Sequence, residues 1–208
     1  MKEFDLFIKR LIKGATNVLF RDVIKSSSGF NLLKVDGVYL EAVQKIKESL
    51  KADLKSISQS VEKNYKGRAN ELSNYLEGVL KTHINNKLKG FVASIPKAGK
   101  SKRSAGYPDL IVGFDKGKYI YIEVKTYQKK TINSSLRTFY FKPSKQDKIM
   151  ESCPHILIGF EVESLGENNR SPFKINNFKI MDLYNLRVTL KPEFNANNPI
   201  IYRNCQEL

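Results

Sequence analysis

Histidine and cysteine are scarce in this chain of 208 residues, and each shortage closes a class of chemistry. Two histidines, His83 and His155, argue against a zinc site or a histidine-based nucleolytic motif. His155 opens an apolar run and reads as a structural hydrogen-bonder. The two cysteines, Cys153 and Cys205, sit in unrelated contexts without metal-ligand spacing, so they read as unpaired thiols in a reducing cytoplasm. Nothing resembles a transmembrane span or a signal peptide, and no membrane role is expected. No internal repeat, Gly-rich ATP loop or obvious methyl-donor site is present. Acidic residues are also in short supply, 21 against 36 Lys+Arg, for a net charge of +15. That imbalance favours a polyanionic partner, nucleic acid first and an anionic membrane second. Hydrophobic residues make up 41% of the chain, enough to support a real core.

The most informative stretch is Gly106 to Tyr127, GYPDLIVGFDKGKYIYIEVKTY. Leu110–Phe114 and Lys118–Tyr127 read as two strands joined by Asp115-Lys116-Gly117, a three-residue hairpin loop whose Gly accepts the left-handed conformation. This loop sets Phe114 opposite Lys118, and by the same register Asp109 opposite Glu123. A period of two sends Ile120, Ile122 and Val124 into a core, and Tyr119, Tyr121, Glu123, Lys125 and Tyr127 the other way. Asp109, Glu123 and Lys125 therefore converge on one side of one hairpin. Two carboxylates that close repel unless a cation lies between them. Hard oxygen donors of this kind suit Mg²⁺. A lysine beside the ion can position or help deprotonate a water.

Pro108-Asp109 followed by Glu123-Val124-Lys125 resembles the PD-(D/E)XK nuclease superfamily, and the spacing is similar to that of type II restriction endonucleases. The resemblance implies a Mg²⁺-dependent, sequence-specific endonuclease acting on double-stranded DNA and leaving 5′-phosphate ends. A cognate DNA methyltransferase would act separately. Asp109 and Glu123 would hold the metal, with the Val124 carbonyl as an extra oxygen, and Lys125 would position or help deprotonate the attacking water. The family often adds a glutamate from the helix preceding the hairpin. Glu71 and Glu77 both qualify by position; the wording NELSNYLE favours Glu71. A structure-specific or repair endonuclease of the same fold, or a non-catalytic DNA-binding protein, is the alternative.

Along the rest of the chain, residues 3–13 and Ala15–Lys25 read as helices, the second ended by Ser26-Ser27-Ser28-Gly29. Tyr39 to Asn64 reads as a long helix with a heptad-like apolar seam, which either packs on the domain or forms a homodimer surface around Leu50, Leu54 and Ile57. Ala69–Asn85 reads as the next helix and Phe91–Ile95 as a strand. Basic and polar segments flank the hairpin and are expected at DNA: Lys97, Lys100, Lys102 and Arg103 before it, Lys129, Lys130, Asn133, Ser134, Ser135, Arg137 and Thr138 after it. Arg137–Phe141 has strand character, and Ser144–Ser152 reads as a helix. His155–Glu161 reads as a strand buried on both faces. Further strands fall near Lys179–Leu183, Leu186–Lys191 and Ile200–Tyr202. The expected class is α/β, by some conventions α+β. A mixed central sheet is flanked by helices in a restriction-endonuclease-like core over residues 67–208, with a helical N-terminal region over 1–66. A two-fold homodimer is the simplest reader of a palindromic site.

Overall fold

The computed structural model describes residues 2–97, 106–133, 139–143 and 148–191. The chain divides into two compact units, 1–19 with 187–208, and 20–186. In the first, helix α1 (Lys2–Lys13) leads into strand β1 (Ala15–Leu19), which pairs antiparallel with β8 (Arg187–Leu190). Gly14, at φ +64°, makes the turn between α1 and β1, and a side chain there would strike the Leu190 carbonyl.

The second unit is built on a six-stranded sheet. Its strands are β2 (Leu32–Leu33), β3 (Phe91–Ser94), β4 (Leu110–Phe114), β5 (Lys118–Tyr127), β6 (Cys153–Ser164) and β7 (Phe173–Asp182). The order runs β2-β6-β5-β4-β3, and β7 pairs with β6 beyond the two residues that β2 occupies. β5 and β6 are parallel while β3, β4 and β5 are antiparallel neighbours, so the sheet is mixed. The hairpin has the expected register, Phe114 opposite Lys118 and Leu110 opposite Ile122. Asp115 (φ 51°) and Gly117 (φ 72°) make the positive-φ turn.

One face of the sheet is covered by α3 (Gly37–Asn64) and α4 (Leu72–Lys87). Ile46, Leu50 and Val61 from α3, and Leu72, Leu76, Leu80 and Ile84 from α4, join Ile120, Ile122, Val124, Ile156 and Ile158 in one apolar core. Leu50 and Ile57 are buried within the chain, so the middle of α3 offers intrachain packing and not the exposed seam expected of a dimer surface. The other face is also covered. Helix α2 (Phe20–Ser28) buries Phe20 and Ile24, and Phe20 packs edge-on against Tyr107. Tyr107, Tyr121 and His155 form a second buried layer there.

The sequence reading needs correction at several elements. Ala15–Leu19 is a strand and not the start of a helix, because β-branched Thr16 and Val18 flank a left-handed Asn17 (φ 63°) and β8 supplies ladder bonds. β1 and β2 therefore interrupt an N-terminal third expected to be all helical. Residues 139–141 are not a strand: Phe139 and Phe141 pack into the Phe20–Tyr107 ring cluster, and residues 137–138 lie outside the described residues. Of the helix expected over Ser144–Ser152, residues 144–147 lie outside the described residues and 148–152 are not helical. The Tyr121 hydroxyl occupies their backbone groups instead, donating to the Lys148 carbonyl (3.4 Å) and accepting from the Met150 N–H (2.9 Å). Lys179–Leu183 is the end of a longer strand, Phe173–Asp182. Ile200–Tyr202 and Cys205 lie outside the described residues.

Candidate active site

β4 begins at Leu110, so β5 runs past its antiparallel partner from Glu123 onward. Asp109 fills the vacated edge. Its N–H donates to the Ile122 carbonyl (3.1 Å), and its Oδ2 accepts from the Val124 N–H (2.8 Å). The N–H and C=O of one strand residue face the same edge, so the Val124 carbonyl points to this side too. Glu123 projects from the opposite face to Ile122 and Val124 and is 3% exposed. Lys125, two residues on, donates from Nζ to Glu123 Oε1 at 2.5 Å. The hairpin thus brings Asp109, Glu123 and Lys125 together as its register requires.

Burial pushes the Glu123 carboxyl up to about 7, and the neighbouring Asp109 charge pushes the same way, while Lys125 opposes both. Among the described residues Glu123 Oε2 is buried with no partner in hydrogen-bonding geometry, and the neighbouring Asp109 carboxylate raises its proton affinity further. An unpartnered carboxylate oxygen in a dry site is an uncompensated acceptor. A cation is a fitting partner for that oxygen. Two carboxylates and a backbone carbonyl are hard oxygen donors suited to Mg²⁺, which retains several waters. Among the described residues no three His, Cys, Asp or Glu side chains stand together as a ready-made cage. An ion of this type needs only one or two protein carboxylates.

Two further groups face the same cluster. Glu77, on the flank of α4 beside buried Leu76, is raised to about 7 by burial, then by Asp109, against the lowering influence of Lys125 and Lys148. Glu71 is exposed in the turn before α4, and its charge bears on the Tyr65 phenol instead. Of the two candidates, Glu77 is the one whose charge interacts with Asp109 and Lys125, whereas the Glu71 favoured by wording interacts with Tyr65. Their periodicity is equivalent, and only the position of α4 along the sheet separates them. Lys148 is 5% exposed, donates from Nζ to the Gly106 carbonyl at 2.5 Å, and lies in the field of Asp109, Glu123 and Glu77. The sequence placed it on a surface helix, and no pattern signalled its burial.

His155 is a structural group. Its Nδ1 is 2.6 Å from the Tyr107 hydroxyl, and burial depresses the imidazole to about 3. Of the residues expected at DNA, Lys129, Lys130 and Asn133 are exposed just past the end of β5, and Lys97 is exposed past β3. Lys100, Lys102, Arg103, Ser134, Ser135, Arg137 and Thr138 lie outside the described residues. Among the described residues no helix is long and apolar enough to cross a membrane.

The family described as the type II restriction enzyme MjaV family matches residues 13–205. The chain belongs to that family. A curated relative, the type II restriction enzyme MjaV of Methanocaldococcus jannaschii, is 32% identical over 219 residues, covering 97% of this chain and 92% of the relative. The chain is therefore a type II restriction enzyme, a nuclease of the site-specific endodeoxyribonuclease class. The match spans both compact units and runs through the whole Asp109–Lys125 hairpin.

Proposed function

We propose that this restriction enzyme is of the PD-(D/E)XK type and hydrolyses both strands of a short double-stranded DNA site in a Mg²⁺-dependent reaction. The observation that carries this reading is Glu123: buried, held beside Asp109, bonded to Lys125 through one oxygen and, among the described residues, unpartnered at the other. When bound, Mg²⁺ would supply Lewis-acid polarisation of the scissile phosphate and lower the pKa of a water. Asp109 and Glu123 would hold the ion, with the Val124 carbonyl on the same edge and Glu77 behind them. Lys125 sits where it can orient the attacking water and offset charge developing on the phosphate oxygens. Attack on phosphorus with loss of the 3′ oxygen leaves 5′-phosphate and 3′-hydroxyl ends. Lys97, Lys129, Lys130 and Asn133, exposed beyond the strand ends, would contact the DNA backbone, and the segment through Arg137 would supply base readout. A homodimer would cut both strands of a palindrome in the cytoplasm, where a separate methyltransferase protects the host site.

Digestion of a sequenced plasmid with Mg²⁺ and mapping of the ends tests this. Discrete fragments with 5′-phosphates are expected, lost in Asp109→Ala. Lys125→Ala should stop cutting yet still bind specific DNA in Ca²⁺. Undiminished cleavage by Asp109→Ala would sink the assignment.

A further inference from the structure

A second charged feature lies away from the hairpin, at the entrance to α4 and the turn between β6 and β7. Arg68 and Arg170 face each other across an isolated antiparallel bridge. Residues directly opposed in such a pair share a face, with Cβ atoms about 4.5–5.5 Å apart, and like charges there are unfavourable. Both arginines are exposed. Among the described residues neither forms an ion pair, although Glu71 and Glu167 each stand three residues away. Together with Asn70 and Asn168 they line a groove of about 350 Å³.

The backbone beneath this pair is held from both sides. The Tyr65 hydroxyl donates to the Arg68 carbonyl at 2.5 Å, and the Ser164 hydroxyl donates to the Arg170 carbonyl at 2.6 Å. The tyrosine ring lies over Gly67, where any Cβ would collide with it. Gly166 is equally tight against the Ser171 carbonyl, and Asn168 adopts φ 53° in the same turn. Two flexible cations are thus mounted on fixed backbone with their like charges opposed. A bound anion between them converts that repulsion into two charge-assisted contacts.

The DNA substrate of a restriction enzyme supplies the anion, and the location sets its distance from the cleavage site. β5 and β6 are parallel, with Lys125 opposite Gly159, and β6 continues to Ser164 at the mouth of the turn. Five residues at about 3.3 Å each carry the sheet about 16 Å beyond Lys125. That is the axial length of about five base pairs at about 3.4 Å per pair. We infer that Arg68 and Arg170 form a binding site for backbone phosphate of the same DNA duplex, a few base pairs from the scissile bond. The inference rests on the proposed cleavage site and deepens it by assigning a second contact with the substrate.

Fluorescence anisotropy with a labelled non-cognate duplex in Ca²⁺, titrated across about 50–200 mM salt, tests it. Arg68→Gln and Arg170→Gln should each make the log–log salt slope shallower by about 0.9, and the double variant by about twice that. Binding should weaken to a similar extent on duplexes of unrelated sequence. Arg68→Lys and Arg170→Lys should restore much of the slope, which a purely structural role would not produce. Saturating DNA should restore the cleavage rate of the double variant. A wild-type slope in the double variant would overturn the inference, as would a loss confined to one base position, which would mean base readout instead. Such a result with normal plasmid cleavage would leave the hairpin assignment standing. Failure of the wild-type protein itself to bind duplex would overturn both.

Discussion

The two faces of β5 are both buried, yet they are buried in different ways. Ile120, Ile122 and Val124 lie on α3 and α4 in a core where every contact is apolar and interchangeable with others of similar volume. Tyr121, Glu123 and Lys125 lie on the other face, where each polar atom has a named partner or a conspicuous lack of one. Burial on the first face lowers free energy by removing apolar surface from water. Burial on the second raises it, because charged and polar groups lose hydration that the surroundings only partly replace. One strand thus carries a stabilising face and a costly face, and the costly one holds the chemistry.

The contrast breaks most sharply under paired substitutions. Glu123→Ala should lower plasmid cleavage by at least a thousandfold, about 4 kcal/mol of barrier, while the protein still melts cooperatively. Ile122→Ala, one residue away on the other face, should lose about 2–5 kcal/mol of stability, read from denaturant unfolding. If Glu123→Ala unfolds the protein instead, the costly-face assignment is wrong.

Conditions without metal sharpen the same comparison. Glu123 holds its proton in the folded state to about 7 but releases it near 4.5 when unfolded. Between these values the folded state binds more protons, so its stability falls as pH rises through that window. Glu123→Gln should then raise the metal-free stability at pH 8 by at most about 3 kcal/mol, read as a higher melting temperature, and have little effect at pH 4. Mg²⁺ should stabilise the wild type at pH 8 and stabilise the variant less, since ligand binding adds stability only where the site is intact. An unchanged melting curve at pH 8 would contradict the strained carboxylate.

The smallest effects separate the two glutamates that flank the same helix start. Glu77→Gln should reduce cleavage about tenfold to a hundredfold, with a higher Mg²⁺ requirement. Glu71→Gln should leave the rate within about twofold, because an exposed carboxylate away from the cluster has no transition-state charge to answer. A reversed pattern in Mg²⁺ titrations would return the role to Glu71.

The sequence alone determined the hairpin, its register and its three charged residues. These follow from local rules: a Gly-ended three-residue turn sets which residues oppose, and a period of two sets which share a face. The helices α3 and α4 were equally legible, because a 3.6-residue period over several turns survives ignorance of what they pack against. Whether Glu71 or Glu77 joins the cluster depended on where α4 sits along the sheet, a non-local quantity. So did the fate of Lys148, whose segment forgoes a helix because the Tyr121 hydroxyl and Gly106 carbonyl capture its polar groups. The Ala15–Leu19 strand needed a partner 168 or more residues away, and no local propensity announces a partner. The opposition of Arg68 and Arg170 belongs to the same kind: two unremarkable basic residues about a hundred positions apart become a site only when β6 and α4 bring their backbones together.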